Sequence, residues 1–167
     1  MLWIKYNLFI SQVNEYPWMS AISDANENQF CGGTLIGSQW VLSASHCFFD
    51  QQGNNPTQAS TVRIVLGEHD LTTQDESKIP KKVVKVSKII THPSYNSDTS
   101  DNDIALLKLS EEVDLNVYTP ACVAKTGETF AGKNAWVYGR QCKQIQIQIK
   151  YLFSRLGNHS IRRPIFR

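Results

Sequence analysis

No run in this 167-residue sequence approaches the roughly 20 consecutive apolar residues of a membrane-spanning helix, which excludes a helical span. The four cysteines, Cys31, Cys47, Cys122 and Cys142, form no C-x-x-C pair, so zinc ribbons and dithiol redox centres are set aside. Before residue 140 no long stretch repeats its apolar positions at helical spacing, and a helix bundle is excluded as well. The final segment lacks acid altogether. From Arg140 onward come Arg140, Lys143, Lys150, Arg155, Arg162, Arg163 and Arg167, with no Asp or Glu. Serine is scarce there too: beyond Ser110 only Ser154 and Ser160 occur. Neither has flanking glycines to form a tight turn with free N–H groups, and both read as ordinary tail serines.

What is present begins with size. At 41% apolar content the chain can bury one ordinary core, and a single domain is expected. Of its 17 basic and 15 acidic residues, the seven basic ones named above lie in the acid-free segment, which leaves residues 1–139 with ten against fifteen. A net of −5 meeting a net of +7 marks residues 140–167 as a segment of a different kind. Such a basic tail has the charge to contact a polyanion. Cysteines without metal-ligand spacing suit an oxidising compartment, where disulfides persist, so a secreted protein is expected. Met1–Ile10 is apolar but short, is interrupted by Lys5 and Asn7, and has no small-residue cleavage site; it makes a poor signal peptide. Asn158-His159-Ser160 fits the glycosylation acceptor pattern.

Short β-type runs recur at barrel or sandwich spacing: Trp18–Ile22, Gly33–Ile36, Trp40–Ser43, Thr61–Leu66, Lys82–Ile90 and Ile104–Leu109. The fifth mixes Val and Ile with Lys and Ser, as an antiparallel strand with one wet face does. Between the runs, residues 50–60, 72–80 and 93–102 are rich in Gln, Asn, Gly, Ser, Thr, Asp and Pro, the chemistry of loops. The fold class is therefore all-β. Gln144–Lys150 alternates Gln with Ile, which suits either one amphipathic strand or a sticky, aggregation-prone tail.

Two residues stand out chemically. A catalytic imidazole needs a neutral ring near physiological pH, a carboxylate to fix its tautomer and rigid backbone beneath it. His46 is followed by Cys47, whose pairing with Cys31 would close a loop of about 17 residues, worth on the order of 3 kcal/mol by chain entropy. Asp103 heads the apolar run Ile104–Leu109, so its carboxylate would lie at the mouth of a strand entering the core. A carboxylate there needs a partner, and an imidazole N–H is a fitting one.

The segments around these residues carry a resemblance. They are Tyr16-Pro17-Trp18, Cys31-Gly32-Gly33-Thr34-Leu35-Ile36, Ser43-Ala44-Ser45-His46-Cys47, Gly67-Glu68-His69-Asp70, His92-Pro93-Ser94-Tyr95, Asp101–Leu109, Pro120-Ala121-Cys122 and Trp136-Val137-Tyr138-Gly139. Together they resemble the first half of the chymotrypsin-like (trypsin-family) serine proteases. The resemblance implies a six-stranded antiparallel Greek-key barrel, the first of that family's two, over residues 13–139. A divergent segment precedes it (1–12) and a divergent basic tail comes after it (140–167). It implies His46 as general base, Asp103 as its orienting acid, and a Cys31–Cys47 disulfide beside the histidine. Protein or peptide substrates are implied as well, with no cofactor, no metal and no nucleic-acid partner expected. Glu68, Asp70, Asp75 and Glu76 lie where some trypsins hold calcium, but their spacing reads as a solvated acidic loop. His69 and His92 read as surface residues.

Departures qualify the activity. After Gly139 the family continues Trp-Gly, whereas this chain continues Arg140-Gln141-Cys142; no Gly-Asp-Ser-Gly-Gly occurs. The serine nucleophile, the oxyanion hole and the specificity pocket have no counterpart in these residues. Phe9-Ile10-Ser11-Gln12-Val13 stands where the family begins Ile-Val-Gly-Gly, with no basic residue directly before Ile10, so the usual zymogen switch has no parts. The expectation is a serine endopeptidase by family, truncated and inactive as this chain. The alternatives are a non-catalytic homologue acting as a binding or regulatory module, and a polyanion- or membrane-surface-binding appendage in the tail. Partners of Cys122 and Cys142 stay open.

Overall fold

In a computed structural model, the structure describes residues 8–9, 15–49, 57–68, 79–125 and 146–147. The described residues form strands β1 (Leu8–Phe9), β2 (Met19–Ser23), β3 (Gln29–Gly37), β4 (Trp40–Ser43), β5 (Arg63–Leu66), β6 (Lys82–Thr91), β7 (Ala105–Leu109) and β8 (Gln146–Ile147) and two short 3-10 helices, Ser45–Phe48 and Ala59–Thr61. Six of these strands close a barrel in the order β2-β3-β4-β7-β6-β5, every neighbour antiparallel. The all-β, six-stranded antiparallel barrel expected from the sequence is the fold.

Alternation drives it. Along β7, Ala105, Leu107 and Leu109 face inward while Leu106 and Lys108 do not. β6 begins the same way, burying Val84 and Val86, and then changes phase. Its register shifts between Val86 and Lys88, where the Ser87 hydroxyl donates to the carbonyls of Lys108 and Leu109 at 3.0 and 3.1 Å. Such a bulge twists the strand and helps the sheet curl shut. Ile22, Leu35, Val41, Ile64, Leu66 and Leu107 fill the interior, and Phe48 of the first 3-10 helix packs into the same core.

β3 begins at Gln29, four residues before the expected Gly33. The glycine pair at 32 and 33 has the look of a turn but lies within the strand. A Cβ at Gly33 would come within 2.6 Å of Val41 Cγ1 and 2.9 Å of Ser20 Oγ, so only glycine lets β2, β3 and β4 approach this closely. The Gln144–Lys150 pattern yields a short strand at 146–147, antiparallel to β1 with Leu8 opposite Ile147. The remaining basic tail, with Ser154, Ser160, the glycosylation pattern and the expected polyanion contact, lies outside the described residues, as do residues 1–7. Among the described residues no helix is long and apolar enough to cross a membrane.

Closure also brings two chain segments to one rim of the barrel. β4 and β7 are neighbours, and their ladder ends with Ser43 opposite Ala105. The chain leaving β4 and the chain entering β7 therefore emerge side by side.

Candidate active site

Beyond β4 the chain turns into the 3-10 helix Ser45–Phe48, and residues 101–104 lead into β7. His46 and Asp103, 57 positions apart in sequence, meet here. Asp103 Oδ2 lies 2.7 Å from His46 Nδ1, and Asp103 Oδ1 accepts the backbone N–H of His46 at 2.8 Å. Both carboxylate oxygens thus engage one residue, which fixes the ring's tilt as well as its distance. The Asp103 side chain is only 19% exposed, whereas that of His46 is 50% exposed. With Nδ1–H donated to the carboxylate, a neutral ring carries its free lone pair on Nε2. Near Nε2 stands Cys47 Sγ at 3.7 Å, a disulfide sulfur with no proton to exchange.

Three features brace this pair. Cys31 and Cys47 form a disulfide with Cα atoms 6.2 Å apart, stitching the helix to β3 directly beside the histidine. The Ser43 hydroxyl donates to the Gly32 carbonyl at 2.9 Å on the same seam. Asn102 adopts φ +56, a left-handed conformation that turns the chain just before Asp103, and its amide donates to Ser94 O at 2.9 Å. Asparagine is among the few residues that take this conformation readily.

Aromatic groups form part of the surround. Phe49 and Tyr95 pack with ring centroids 5.3 Å apart. Burial pushes the Tyr95 phenol above its ordinary value, and the negative charge of Asp103 adds to the push. His92, expected at the surface, is half-buried: its backbone N–H donates to Ile104 O at 3.0 Å and its Nδ1 accepts from Ser94 N at 3.1 Å. Ser45 is fully buried and donates to Ile104 O at 2.7 Å. Sequence reasoning singles out neither Ser45 nor Asn102; the available signals are a small hydroxyl wedged before the histidine and an Asn preceding the aspartate.

Cys31, His46 and Cys47 place one ligand-type atom each within 4.8 Å of the others, but a metal needs thiolates and these sulfurs are joined in a disulfide. Of the four acidic residues weighed for calcium, Glu68 faces an ammonium: Lys81 Nζ lies 3.6 Å from its Oε2 and 2.9 Å from Glu27 Oε2. Asp70, Asp75 and Glu76 lie outside the described residues, with His69. Cys122 is a free, exposed thiol, and Cys142 is outside the described residues.

Compared with known proteins, residues 9–152 match a family model described as Trypsin. Trypsin I-P1 of Gallus gallus is 40% identical over 110 residues, covering 66% of this chain and 39% of that protein. Trypsin of Sus scrofa is 38% identical over 103 residues, covering 62% and 38%. Mannan-binding lectin serine protease 1 of Mus musculus is 34% identical over 128 residues, covering 71% and 18%. The chain therefore spans 39% or less of the length of each of these relatives.

Proposed function

Because this chain belongs to the trypsin family of chymotrypsin-like serine proteases, we propose that His46 and Asp103 are the general base and orienting acid of a serine endopeptidase acting on protein or peptide substrates. The observation that supports this most is the two-point grip of Asp103 on His46, one oxygen on Nδ1 and one on the backbone N–H. That grip selects the tautomer with the proton on Nδ1 and the free lone pair on Nε2. In peptide hydrolysis Nε2 takes the proton of a serine hydroxyl as it attacks the carbonyl, then returns it to the leaving amine. The Asp103 carboxylate stabilises the imidazolium formed between these steps without taking the proton itself.

The proposal is bounded by what these residues carry. Among the described residues no serine hydroxyl is bonded to Nε2, and the sequence contains no Gly-Asp-Ser-Gly-Gly. The 167 residues on their own are proposed to be without peptidase turnover, with residues 13–139 forming the first barrel between divergent segments 1–12 and 140–167. A second reading is a non-catalytic homologue that acts as a binding or regulatory module. The Cys31–Cys47 disulfide supports an extracellular location.

Two measurements test this. Proton NMR of the chain should show a low-field, slowly exchanging Nδ1–H of His46 that disappears in Asp103→Ala; its absence from the wild type would sink the base–acid assignment. A peptide ester should not be turned over above background, and turnover abolished by His46→Ala would overturn the claim of inactivity.

A further inference from the structure

We propose that Ser45 is a positioning residue that holds His46 and Asp103 in register, a role that rests on the base–acid reading above. The β4–β7 ladder ends at Ser43 opposite Ala105, so beyond it no strand pairing joins the two segments that carry the site. Besides the bond between the His46 ring and Asp103 Oδ2, two hydrogen bonds replace it. Ser45, the residue before His46, donates its hydroxyl to the carbonyl of Ile104, the residue after Asp103, at 2.7 Å. His46 N–H donates to Asp103 Oδ1 at 2.8 Å. Both bonds between His46 and Asp103 end on one carboxylate, which can swing as a unit, whereas the Ser45–Ile104 bond adds a separate point of attachment beside the pair.

The hydroxyl also takes part in a third contact. The His92 N–H, at the end of β6, lies 3.3 Å from Ser45 Oγ and 3.0 Å from Ile104 O. Ser45 Oγ therefore donates to one backbone group and accepts from another, and residues after β4, after β6 and before β7 converge on one oxygen. Burial alone does not distinguish it. Ser20 and Ser23 are buried as well, yet their hydroxyls have no hydrogen-bond partner among the described residues. What marks Ser45 is that both its donor and its acceptor capacity are used, at complete burial, one residue from the base. A hydroxyl so placed is costly to bury without partners and hard to displace with them.

Without the oxygen, the Asp103 carboxylate alone would align the histidine, and the Nδ1–H bond would open more often. The experiment compares solvent exchange of the His46 Nδ1 proton in wild type, Ser45→Ala, Ser45→Thr and Ser87→Ala. Ser87 is the control because its hydroxyl also bonds backbone across strands, at the carbonyls of Lys108 and Leu109 on β7, and plays no part in the site. Ser45→Ala should speed exchange roughly tenfold, the factor expected for a typical hydrogen bond lost. Ser45→Thr, which keeps the oxygen, should restore slow exchange, and Ser87→Ala should lower stability without changing exchange at His46. Equal exchange in Ser45→Ala and wild type, or equal acceleration in Ser87→Ala, overturns the proposal. A wild type with no low-field proton overturns the base–acid reading itself and Ser45 with it.

Amide exchange in the wild type keeps the proposal testable should Ser45→Ala fail to fold. The amides of His46 and His92 should be protected to within about a hundredfold of the core-strand amide of Leu107, because the clamp opens only when the barrel does. Faster exchange would mean that the clamp opens independently, and the positioning role would fall.

Discussion

Asn102 is the residue on which the aim of Asp103 depends. Its φ of +56 costs an ordinary L-residue about 1–2 kcal/mol, and glycine nothing. Asn102→Ala should therefore destabilise the chain by about 1–3 kcal/mol, combining backbone strain with loss of the bond to Ser94 O. Asn102→Gly should lose only the side-chain bond, about 1 kcal/mol. Denaturant unfolding of the two variants checks the order; equal losses would remove the left-handed turn as the cause. This residue also marks how far sequence reading reaches. His46 and Asp103 are legible because each sits in a distinctive segment: a small-residue lead-in to His-Cys, and an Asp opening an apolar strand. Ser45 and Asn102 are not. Their roles come from a carbonyl 59 positions away and from a backbone angle, which a small hydroxyl and an Asn permit but do not announce.

The strands are more legible than their ends. Trp40–Ser43 matches its expected limits at both ends, because Trp, Val and Leu give way to the small Ala44 and the polar turn beyond. β3 reads short because Cys31-Gly32-Gly33 has the composition of a turn, and only packing against Val41 and Ser20 reveals why glycine is needed in a strand. The loop between β2 and β3 carries a pH prediction. Asp24 accepts the backbone N–H groups of Asn26 and Asn28 and the side-chain amide of Asn28, at 2.8 to 2.9 Å. The side-chain bond from Asn28, then its backbone bond, holds the carboxyl below its ordinary value of 3.8. A depressed carboxyl stabilises the fold above its unfolded pKa, and the contribution is lost as pH falls through the lower folded value. The stability gap between wild type and Asp24→Ala should therefore be constant from neutral pH to about 5 and shrink below 3.8. Melting temperatures between pH 2 and 7 would show it, and a gap that widens on acidification would contradict the assigned bonds.

At the scale of the whole molecule, the barrel determines whether the site exists at all. Closure through β2 and β5, with Ile22 opposite Ile64, leaves the six-stranded sheet without a free edge. The rim that carries His46 and Asp103 is therefore only as rigid as the interior beneath it. Leu107 lies in that interior with no exposed surface, paired with Val41 on β4 and Ile89 on β6. Leu107→Ala removes about 2–5 kcal/mol by lost burial and the cavity left behind, out of the 5–15 kcal/mol typical of a small domain. The denaturant midpoint should drop accordingly at unchanged m-value. Yet Ser45, His46, Asp103 and Ile104 lie beyond the end of the ladder and none of their bonds involves Leu107. In the fraction that remains folded, the His46 Nδ1–H resonance should keep its position. A resonance that moves or broadens while the protein is still folded would mean that the site is set by core packing more than by the hydrogen bonds at the rim.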